Sequence, residues 1–413
     1  MAKNRCVIGK WLNDDGKNGV SFRGAQTKSI GNGCLMGVDF REKGFYSSYT
    51  QNLTIRGDRG EDEQYDPERA GTGSKKIDAN MIKFCFAANS GGHLNQLLQL
   101  DDFANRYTYF FVTDRNQFSE ELAQREKVFF VEKFIIKECI RTLNFFIPIR
   151  NLWQSFLIIK REQPDIIVTT GAGTAFGSCI AGRLFRKKII FIESIARVGE
   201  PSTFGRVISP IASVVFVQWE NMMKYYKRAI YTGAIFNFGK AFVDKQENKR
   251  IFVTTGTYKL QFNRVLIELD RLKETGWVAQ EVVAQTGKST YQPKHYETFD
   301  FAPQAKIHEL VALSDIIICH GGSGSIMDSL IRGKKVIAVP RLKEFDEFFD
   351  DHQLQIVREL ERLGVILAVY DIADLGNAIK EAESFRPKLE NIPNRVEELL
   401  SRFIADNFSE ELP

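Results

Sequence analysis

The distribution of apolar positions divides the chain near residue 80. Residues 1–80 contain only short apolar runs among Gly, Asn, Asp, Arg and Ser, whereas the remainder alternates apolar runs with segments of helical period. Continuous short apolar runs are typical of strands that are buried on both faces of a parallel sheet. The pattern therefore predicts an α/β fold from Met81 onward, with helical crossovers between the strands.

The first predicted domain covers residues 81–235. Its strands are predicted at Ile82–Ala88, Tyr107–Val112, Val128–Val131, Ile166–Thr170, Ile189–Ile192 and Val214–Val217. Helical periods between them are clearest over Leu94–Asn105 and Thr174–Phe185. The polar segment 236–250 is predicted to be a linker.

The second predicted domain covers residues 251–405 and is followed by a tail, 406–413. After a first strand at Ile251, its strands are predicted at Val278–Ala284, Ile316–Cys319, Val336–Val339 and Val365–Val369. Helices are predicted at Phe262–Lys273, Lys306–Leu313, Ile326–Arg332, His352–Leu363, Ala373–Ser384 and near Arg395–Ala405. Each domain has a glycine turn after its first strand. Two doubly wound, Rossmann-like domains in tandem predict a ligand cleft between facing sheet edges.

Residues 1–80 carry no recognisable chemistry. Gly71-Thr72-Gly73-Ser74 has the composition of a linker. The composition favours a weakly ordered extension. A small β-rich module, or sequence not originally part of the functional protein, stays open as an alternative.

Composition excludes several classes of protein. The formal charge of +4 is too small to indicate nucleic-acid binding by itself, and the six cysteines form no CxxC pair, so buried thiols in a reducing compartment are expected. No apolar run reaches the roughly 18–20 residues of a membrane span, and the N-terminus has no signal-peptide core. A cytoplasmic protein, attached to a membrane at most peripherally, is expected.

The most informative stretch runs from Asp315 to Gln353. A predicted strand ends in His320-Gly321-Gly322-Ser323-Gly324-Ser325, and a predicted helix with Asp328 follows. Small residues at a strand-to-helix turn let a ligand approach the backbone, and the helix N-terminus favours a phosphate. Asp328, one turn further on, is placed to accept hydrogen bonds from ribose. The stretch therefore predicts a nucleotide site.

A second glycine turn in the same domain, Thr255-Gly256-Thr257, is expected to face the same cleft. A plain βα turn is the alternative interpretation. His320 also has a structural alternative, in which it only caps its strand.

The first domain carries two such turns. Asn89 and Ser90-Gly91-Gly92-His93 follow the first strand, and Thr170-Gly171-Ala172-Gly173 follows the fourth. A helix start lowers the pKa of a histidine, so His93 is the candidate general base. A capping turn with an exposed histidine is at least as good an interpretation of spacing alone. For the Gly171 and Gly173 turn, plain turn chemistry is slightly favoured over acceptor binding.

Polar residues directly after the strand at 189–192 lie at the predicted cleft edge. Glu193 and Glu200 are rival candidates for the base, and Arg197 is a candidate acceptor contact. Ion pairing of the acids with Arg197 or Arg206 is an equally weighted alternative.

The segment from Lys133 to Arg161 combines large apolar residues with six cations and one anion. This composition suits an anionic membrane surface, and its apolar residues exceed what one buried stripe needs. Phe145, Phe146, Trp153, Arg141 and Arg150 are the predicted contacts. A core helix with solvated lysines is the alternative.

With these motifs assembled, the chain resembles a known group of enzymes. Residues 251–405 resemble the donor-binding half of GT-B glycosyltransferases of the lipid II-forming type. They are closer still to the catalytic subunit of the two-subunit transferase that adds the second N-acetylglucosamine to dolichol-linked sugar. His320 to Asp328, Arg332-Gly333-Lys334 and Asp351-His352-Gln353 carry this resemblance.

Residues 81–235 resemble the partner subunit of that transferase, which recruits the catalytic one to the membrane. Five segments carry this second resemblance: Ser90 to His93, Thr170 to Gly173, Glu193 to Val198, Val217-Gln218-Trp219-Glu220, and Tyr231-Thr232-Gly233. Bacterial capsule and exopolysaccharide clusters carry the same pair. The chain resembles the two subunits joined, with the acceptor half first.

The resemblance implies an inverting transferase with no metal in its site and no cofactor. The turn from Gly322 to Ser325 would hold the UDP diphosphate, Asp328 the ribose, and His352 and Gln353 the donor sugar and phosphates. The acceptor would be a polyprenyl-diphosphate-linked saccharide on the cytoplasmic face of the membrane, with other polysaccharide-assembly proteins as partners. Two alternatives remain: a UDP-sugar 2-epimerase of the same architecture, and a non-catalytic scaffold of a polysaccharide assembly complex.

Overall fold

A computed structural model describes residues 9–12, 18–21, 82–134, 146–238, 250–349 and 351–408. Near the N-terminus, β1 (Gly9–Leu12) pairs antiparallel with β2 (Asn18–Ser21). The rest of the predicted extension lies outside the described residues. So do the predicted membrane contacts Phe145 and Arg141 and most of the predicted linker.

A sheet of seven parallel strands forms the first domain. Its strands are β3 (Lys83–Ala88), β4 (Thr108–Thr113), β5 (Val128–Phe130), β6 (Ile166–Gly171), β7 (Lys188–Ile192), β8 (Val214–Val217) and β9 (Ala229–Tyr231). Its helices are α1 (Gly92–Leu98), α2 (Asp101–Ala104), α3 (Gln117–Ala123), α4 (Phe146–Glu162), α5 (Gly173–Leu184) and α6 (Thr203–Ile208), and a 3₁₀ turn spans Glu220–Tyr225. The central strands are apolar and buried along their length, as their continuous runs predict.

A sheet of six parallel strands forms the second domain. Its strands are β10 (Arg250–Thr254), β11 (Glu281–Gln285), β12 (Glu297–Phe299), β13 (Ile316–His320), β14 (Lys335–Val339) and β15 (Leu367–Ala368). Its helices are α7 (Asn263–Glu274), α8 (Gln304–Leu313), α9 (Ser323–Ile331), α10 (His352–Arg362) and α11 (Leu375–Ser384). Short 3₁₀ turns lie at Lys343–Phe345, Ile372–Asp374 and Leu389–Asn391, and α12 (Val396–Phe408) ends the described chain.

Both sheets have the strand order of a doubly wound fold. The first runs β5-β4-β3-β6-β7-β8-β9 and the second β12-β11-β10-β13-β14-β15. The strand order therefore reverses between β3 and β6 in one domain and between β10 and β13 in the other. Ligands of such folds bind at the carboxyl ends of these paired strands, where the chain departs in opposite directions. Both predicted pairs of glycine turns lie at these two points.

The last helix, α12, packs against the first domain. Gly233 and Asn394 form an antiparallel bridge, and the Arg395 amide donates to the Thr232 carbonyl at 2.8 Å. Nζ of Lys188, at the start of β7, donates to Oδ1 of Asn407 on α12 at 2.8 Å. The sequence prediction places this helix in the second domain, 251–405, and these contacts join it to residues of the first. The helix also continues to Phe408, into the predicted tail.

The predicted elements are confirmed, with corrections at their ends. Helix α9 begins at Ser323 rather than Ile326, so the serines of the glycine turn belong to the helix. Strand β11 begins at Glu281, and the buried Val278 precedes it. The segment predicted as one helix over Leu94–Asn105 contains two, α1 and α2, because the backbone turns at residues 99–100.

Candidate active site

The start of α9 presents a row of backbone donors that no side chain caps. Gly322 occupies the N-cap position, no side chain caps the helix, and no acidic residue lies in its first turn. The first N–H groups of a helix have no intrahelical acceptor, and the dipole favours an anion beside them. A carbon added at Gly324 would meet no atom within 4 Å. Open space therefore adjoins these donors, as a bound diphosphate requires.

The neighbouring glycines serve packing. A carbon added at Gly321 would lie 2.9 Å from Cβ of Gln353, and one at Gly256 would lie 2.6 Å from Cε1 of His320. A carbon at Gly322 would overlap the same imidazole. His320 is thus clamped between the turn after β10 and the turn after β13. Of the glycines predicted to bind donor, Gly324 alone faces open space in the described region.

His320 is a neutral group within this clamp. Burial and the nearby charge of Arg341 lower its pKa to about 4, although the Thr254 carbonyl opposes the change. Its Nδ1 atom, like Oγ1 of Thr255, is buried and makes no hydrogen bond of normal geometry with any described residue. Buried polar atoms are usually paired, so these two atoms mark the most polar part of the turn's interior. Thr257, also predicted to bind donor, is exposed.

Asp328 lies on α9, one turn beyond the helix start. Its two oxygens accept hydrogen bonds of 3.1 Å from Nε and Nη2 of Arg332, and Nε2 of His308 lies 3.8 Å from Oδ1. A carboxylate offers about four lone-pair positions. The carboxylate therefore keeps acceptor capacity for hydroxyl groups while Arg332 holds its orientation.

Sequence reasoning missed Arg341, which follows β14 after Pro340. Its buried guanidinium donates to the carbonyl oxygens of Thr255 at 2.6 Å and Leu260 at 3.0 Å, and its amide donates to Oε1 of Gln353 at 3.0 Å. Arg341 thereby ties the Gly256 turn to the start of α10. The available signal was a charged residue two positions beyond a buried strand, at its carboxyl end.

Gln353 is itself buried, so its carbonyl oxygen has a structural role. The backbone of His352 begins α10, and the side chain of His352 lies outside the described residues. The predicted sugar contacts of this pair stay predictions.

In the first domain, His93 joins the two glycine turns. Its Nδ1 lies 2.9 Å from the Thr170 carbonyl, and Oγ1 of Thr170 donates to the His93 carbonyl at 2.8 Å. A carbonyl oxygen only accepts, so Nδ1 carries the proton and Nε2 keeps a lone pair. Burial lowers the pKa of His93, and the charges of Arg197 and Lys133 lower it further against the Thr170 bond. His93 is therefore neutral near pH 7 and able to accept a proton.

A buried carboxylate, Asp114, organises the turn before His93. It accepts from the Ser90 amide at 2.8 Å, the Ser90 hydroxyl at 2.6 Å and the Thr174 hydroxyl at 3.1 Å. Lys133 lies 3.2 Å from its second oxygen. Burial opposes ionisation, but the Ser90 and Lys133 contacts lower the pKa of Asp114 overall. Ser90, a predicted acceptor contact, is thus engaged in positioning this turn.

Gly91 and Gly92 leave space at the same turn. Gly91 has φ of 92°, which favours glycine, and a carbon added at either residue would meet no atom within 4 Å. By contrast, a carbon at Gly173 would overlap the Phe134 carbonyl, and one at Gly171 would lie 3.0 Å from the Phe204 ring. The Thr174 amide already donates to Asn89 at 2.8 Å. Gly171 and Gly173 are therefore closely packed against the protein, and acceptor binding at this turn stays a prediction.

Glu193 is buried and accepts several hydrogen bonds. It accepts from the Ser194 amide at 2.9 Å, the Ser202 amide at 3.0 Å and the Tyr226 hydroxyl. These bonds fix the loop after β7 and the start of α6. Glu200 and Arg197 are exposed. Among the three candidate bases, the geometry favours His93.

The two domains meet beside this loop. A carbon added at Gly199 would lie 3.3 Å from Oε1 of Gln355 on α10. The loop after β7 and the start of α10 both follow carboxyl ends of strands. The predicted cleft therefore lies between the carboxyl edges of the two sheets.

Helix α4 exposes its apolar side chains and buries polar ones. Phe146 is 72 % exposed, Ile149 63 % and Trp153 62 %, whereas Asn151 and Ser155 are fully buried. Asn151 donates to the carbonyls of Glu132 at 2.7 Å and Thr174 at 3.1 Å, which fixes α4 against α5. Ile159 on the same helix is buried, and Lys160 and Arg161 are exposed. The first turns of α4 therefore expose large apolar side chains, whereas its last turn has the burial of an ordinary surface helix. Membrane contact and the alternative of a core helix with solvated lysines both stay predictions.

Two searches of the described residues gave negative findings. No group of three or more His, Cys, Asp or Glu side chains there has a metal-binding arrangement. No described helix combines the length and apolar character needed to cross a membrane.

Comparison with known families divides the chain in the same way. Residues 85–235 match the family described as oligosaccharide biosynthesis protein Alg14 like. Residues 250–404 match the family described as glycosyltransferase family 28 C-terminal domain. The predicted fusion of the two kinds of subunit is confirmed.

Individual relatives agree with these matches. The human UDP-N-acetylglucosamine transferase subunit ALG14 is 28 % identical over 179 residues, which cover 37 % of this chain and 83 % of the relative. A UDP-N-acetylglucosamine–N-acetylmuramyl-(pentapeptide) pyrophosphoryl-undecaprenol N-acetylglucosamine transferase of Borreliella burgdorferi is 22 % identical over 279 residues, or 63 % of this chain and 76 % of the relative.

Solved structures show the same fold. MurG of Acinetobacter baumannii superposes with a TM-score of 0.53 at 14 % identity, covering 79 % of this chain and 99 % of MurG. A UDP-N-acetylglucosamine 2-epimerase of Rickettsia bellii superposes with a TM-score of 0.55 at 11 % identity, covering 80 % and 97 %. At these identities the likeness establishes the GT-B architecture alone.

Proposed function

We propose, from the premise that this chain joins an Alg14-like domain to a glycosyltransferase family 28 C-terminal domain, that it transfers a hexose from a UDP-sugar to a polyprenyl-diphosphate-linked saccharide. The observation that carries the proposal is the uncapped start of α9, with open space at Gly324 and Asp328 one turn beyond it. Donors for a diphosphate and an acceptor for ribose thus lie on one helix. The names of the relatives put N-acetylglucosamine first among the sugars to test.

The reaction follows from the two facing sites. Nε2 of His93 accepts the proton of an acceptor hydroxyl, whose oxygen attacks the anomeric carbon. The bond from that carbon to the diphosphate oxygen breaks, and UDP leaves with the electron pair. Attack opposite the leaving group inverts the anomeric centre. The amides at the start of α9 stabilise the departing diphosphate, so the reaction needs no bound metal or cofactor. Activity retained in excess EDTA is the expected result.

The acceptor is proposed to reach the site from the cytoplasmic face of a membrane on which α4 rests. The exposed residues Phe146, Ile149 and Trp153, together with Arg150 on the same helix, suit the interface of an anionic bilayer. The biological setting proposed is capsule, exopolysaccharide or glycolipid assembly, with other assembly proteins as partners.

A panel assay tests the activity. Purified protein is supplied with UDP-N-acetylglucosamine, UDP-glucose, UDP-galactose or UDP-glucuronate and with lipid-linked glucose or N-acetylglucosamine. One elongated lipid-linked product identified by mass spectrometry is the expected result. A free epimerised sugar or UDP-sugar without any lipid-linked product would identify the 2-epimerase alternative. UDP-sugar binding with neither product would favour the scaffold.

The donor assignment is tested at Asp328. Asp328→Asn should weaken UDP binding at least about ten-fold, or roughly 1.4 kcal/mol, because ribose hydroxyls lose a charged acceptor. Arg332→Met is the matched control. It breaks the ion pair between Arg332 and Asp328, as Asp328→Asn does, but leaves the carboxylate of Asp328 in place. Titration calorimetry with UDP measures both. Unchanged affinity in Asp328→Asn would remove Asp328 from the donor site.

A further inference from the structure

The loop between β14 and α10 carries an aromatic cluster that the proposed mechanism does not use. The cluster consists of Tyr258, Phe348 and Phe349. The rings of Tyr258 and Phe348 lie 4.4 Å apart, and those of Phe348 and Phe349 also lie 4.4 Å apart. Phe349 keeps 62 % of its surface exposed. The rings of each pair are tilted by 40° and 32°. An exposed phenyl ring held by such neighbours can contact the face of a ligand.

The aromatic cluster lies at the edge of the sheet where the donor turns lie. Tyr258 is two residues beyond Gly256, whose turn packs on His320. Phe348 and Phe349 follow β14, and β10 and β14 flank β13 on its two sides. The aromatic cluster therefore adjoins the glycine turn that leads into α9.

Buried charges fix the position of this loop. Nε of Arg264 donates to Oε1 of Glu347 at 2.8 Å, and both side chains are largely buried. Arg341 donates to the Glu347 carbonyl at 3.0 Å and lies 5.9 Å from the Tyr258 ring centre. Burying ions costs free energy that a plain loop does not require. The network is consistent with a loop that must present its rings in one place.

The exposed charged residues near the cluster offer hydrogen-bonding groups to a polar ligand. Glu344 and Asp346 are exposed in the loop, as are Lys343 in the same loop and Lys259 next to Tyr258. These charges balance, so they favour a ligand ring that carries hydroxyl groups over a strongly charged one. The face of an aromatic ring is negative and attracts C–H groups, and carboxylates accept hydrogen bonds from hydroxyls. A pyranose ring offers both kinds of group.

We propose that Tyr258, Phe348 and Phe349 form a platform on which a pyranose ring stacks through its C–H face. The proposal rests on the transferase function above and extends it to sugar selection. The ring belongs either to the UDP-sugar or to the saccharide of the acceptor, and both present the same chemistry.

Binding and kinetics with Phe349→Ala and Phe349→Trp test the platform. If the donor sugar stacks, Phe349→Ala weakens UDP-sugar binding about three- to ten-fold and leaves UDP binding unchanged. If the acceptor sugar stacks, KM for the lipid-linked acceptor rises by a similar factor and UDP-sugar affinity is unchanged. In either case Phe349→Trp should keep the wild-type UDP-sugar affinity and the wild-type KM for the acceptor, because tryptophan keeps an aromatic face.

Trp277→Ala is the control for loss of an exposed aromatic residue. Trp277 is exposed and precedes β11, at the opposite edge of the sheet from the platform. Wild-type values for UDP, UDP-sugar and acceptor in Phe349→Ala would overturn the platform. A wild-type protein that binds no UDP, or binds it and transfers nothing, would instead overturn the proposed function.

Discussion

At the residue scale, a substitution at Gly324 should lower UDP affinity without changing the free energy of unfolding appreciably. Gly324→Val places its Cβ where no atom lies within 4 Å, so the free energy of unfolding should change by no more than about 0.5 kcal/mol. The added side chain enters the space beside the first amides of α9, and UDP affinity should fall more than about ten-fold. Calorimetry with UDP and a urea unfolding curve measure the two effects. Undiminished UDP affinity would place the diphosphate elsewhere.

A second residue-scale prediction concerns the proton acceptor. Activity requires neutral His93, so kcat/KM should fall as the pH drops through its lowered pKa, below the ordinary value of about 6.5. Lys133→Met removes a cation that lowers this pKa, so the acid limb should move to higher pH.

Lys127→Met is the matched control for that prediction. Lys127 precedes β5 and pairs with Glu162 at 2.6 Å, whereas Lys133 follows β5. The pH profile of Lys127→Met should equal that of the wild type. An acid limb that stays in place in Lys133→Met would direct the search for the base to Glu193 or Glu200.

At the scale of elements, the sequence predicted most strands and few of the contacts between side chains. Buried parallel strands can be predicted because they form continuous apolar runs in the sequence. The observed bounds of β6, β7 and β14 lie within about one residue of the predicted ones. The partners of Arg341 and Asp114 could not be predicted, because each pairs with residues far away in the sequence. The same limit applies to Gly173, which the overlap with Phe134 explains only once the fold is known.

The exposed face of α4 leads to a prediction about membranes. Ile149→Ser with Trp153→Ser removes two large apolar side chains that are more than 60 % exposed. Insertion of each contributes roughly 1.5–3 kcal/mol, so binding to phosphatidylglycerol vesicles should fall at least about ten-fold. Sedimentation with vesicles measures this.

The control for the membrane prediction lies on another helix. Ile267→Ser on α7 also removes an exposed apolar side chain and should leave vesicle binding unchanged. Raised salt should weaken the remaining binding, because the cations near α4 are screened. Equal vesicle binding by the double variant and the wild type would contradict the assignment of α4.

At the scale of the whole molecule, the chain passes between domains twice. The polypeptide leaves the first domain after β9, builds the second, and returns through Pro393 to place α12 on the first. The returning segment joins Gly233 by backbone bonds, including the Ala234 amide to the Pro393 carbonyl at 2.8 Å. The relative position of the two carboxyl edges, and hence of donor and acceptor, depends on this junction.

Gly233→Ala tests that dependence. Gly233 has φ of 71°, and a carbon there would overlap the Pro393 carbonyl. Gly276 has the same φ of 71° with no atom within 4 Å, so Gly276→Ala reports the backbone strain alone, about 1 kcal/mol. Gly233→Ala should cost at least about 2 kcal/mol and increase amide exchange in α12. Because the proposed UDP site lies within the second domain, UDP affinity should change little while transfer falls. Equal exchange in the two variants would show that the Pro393 contact does not hold α12 in place.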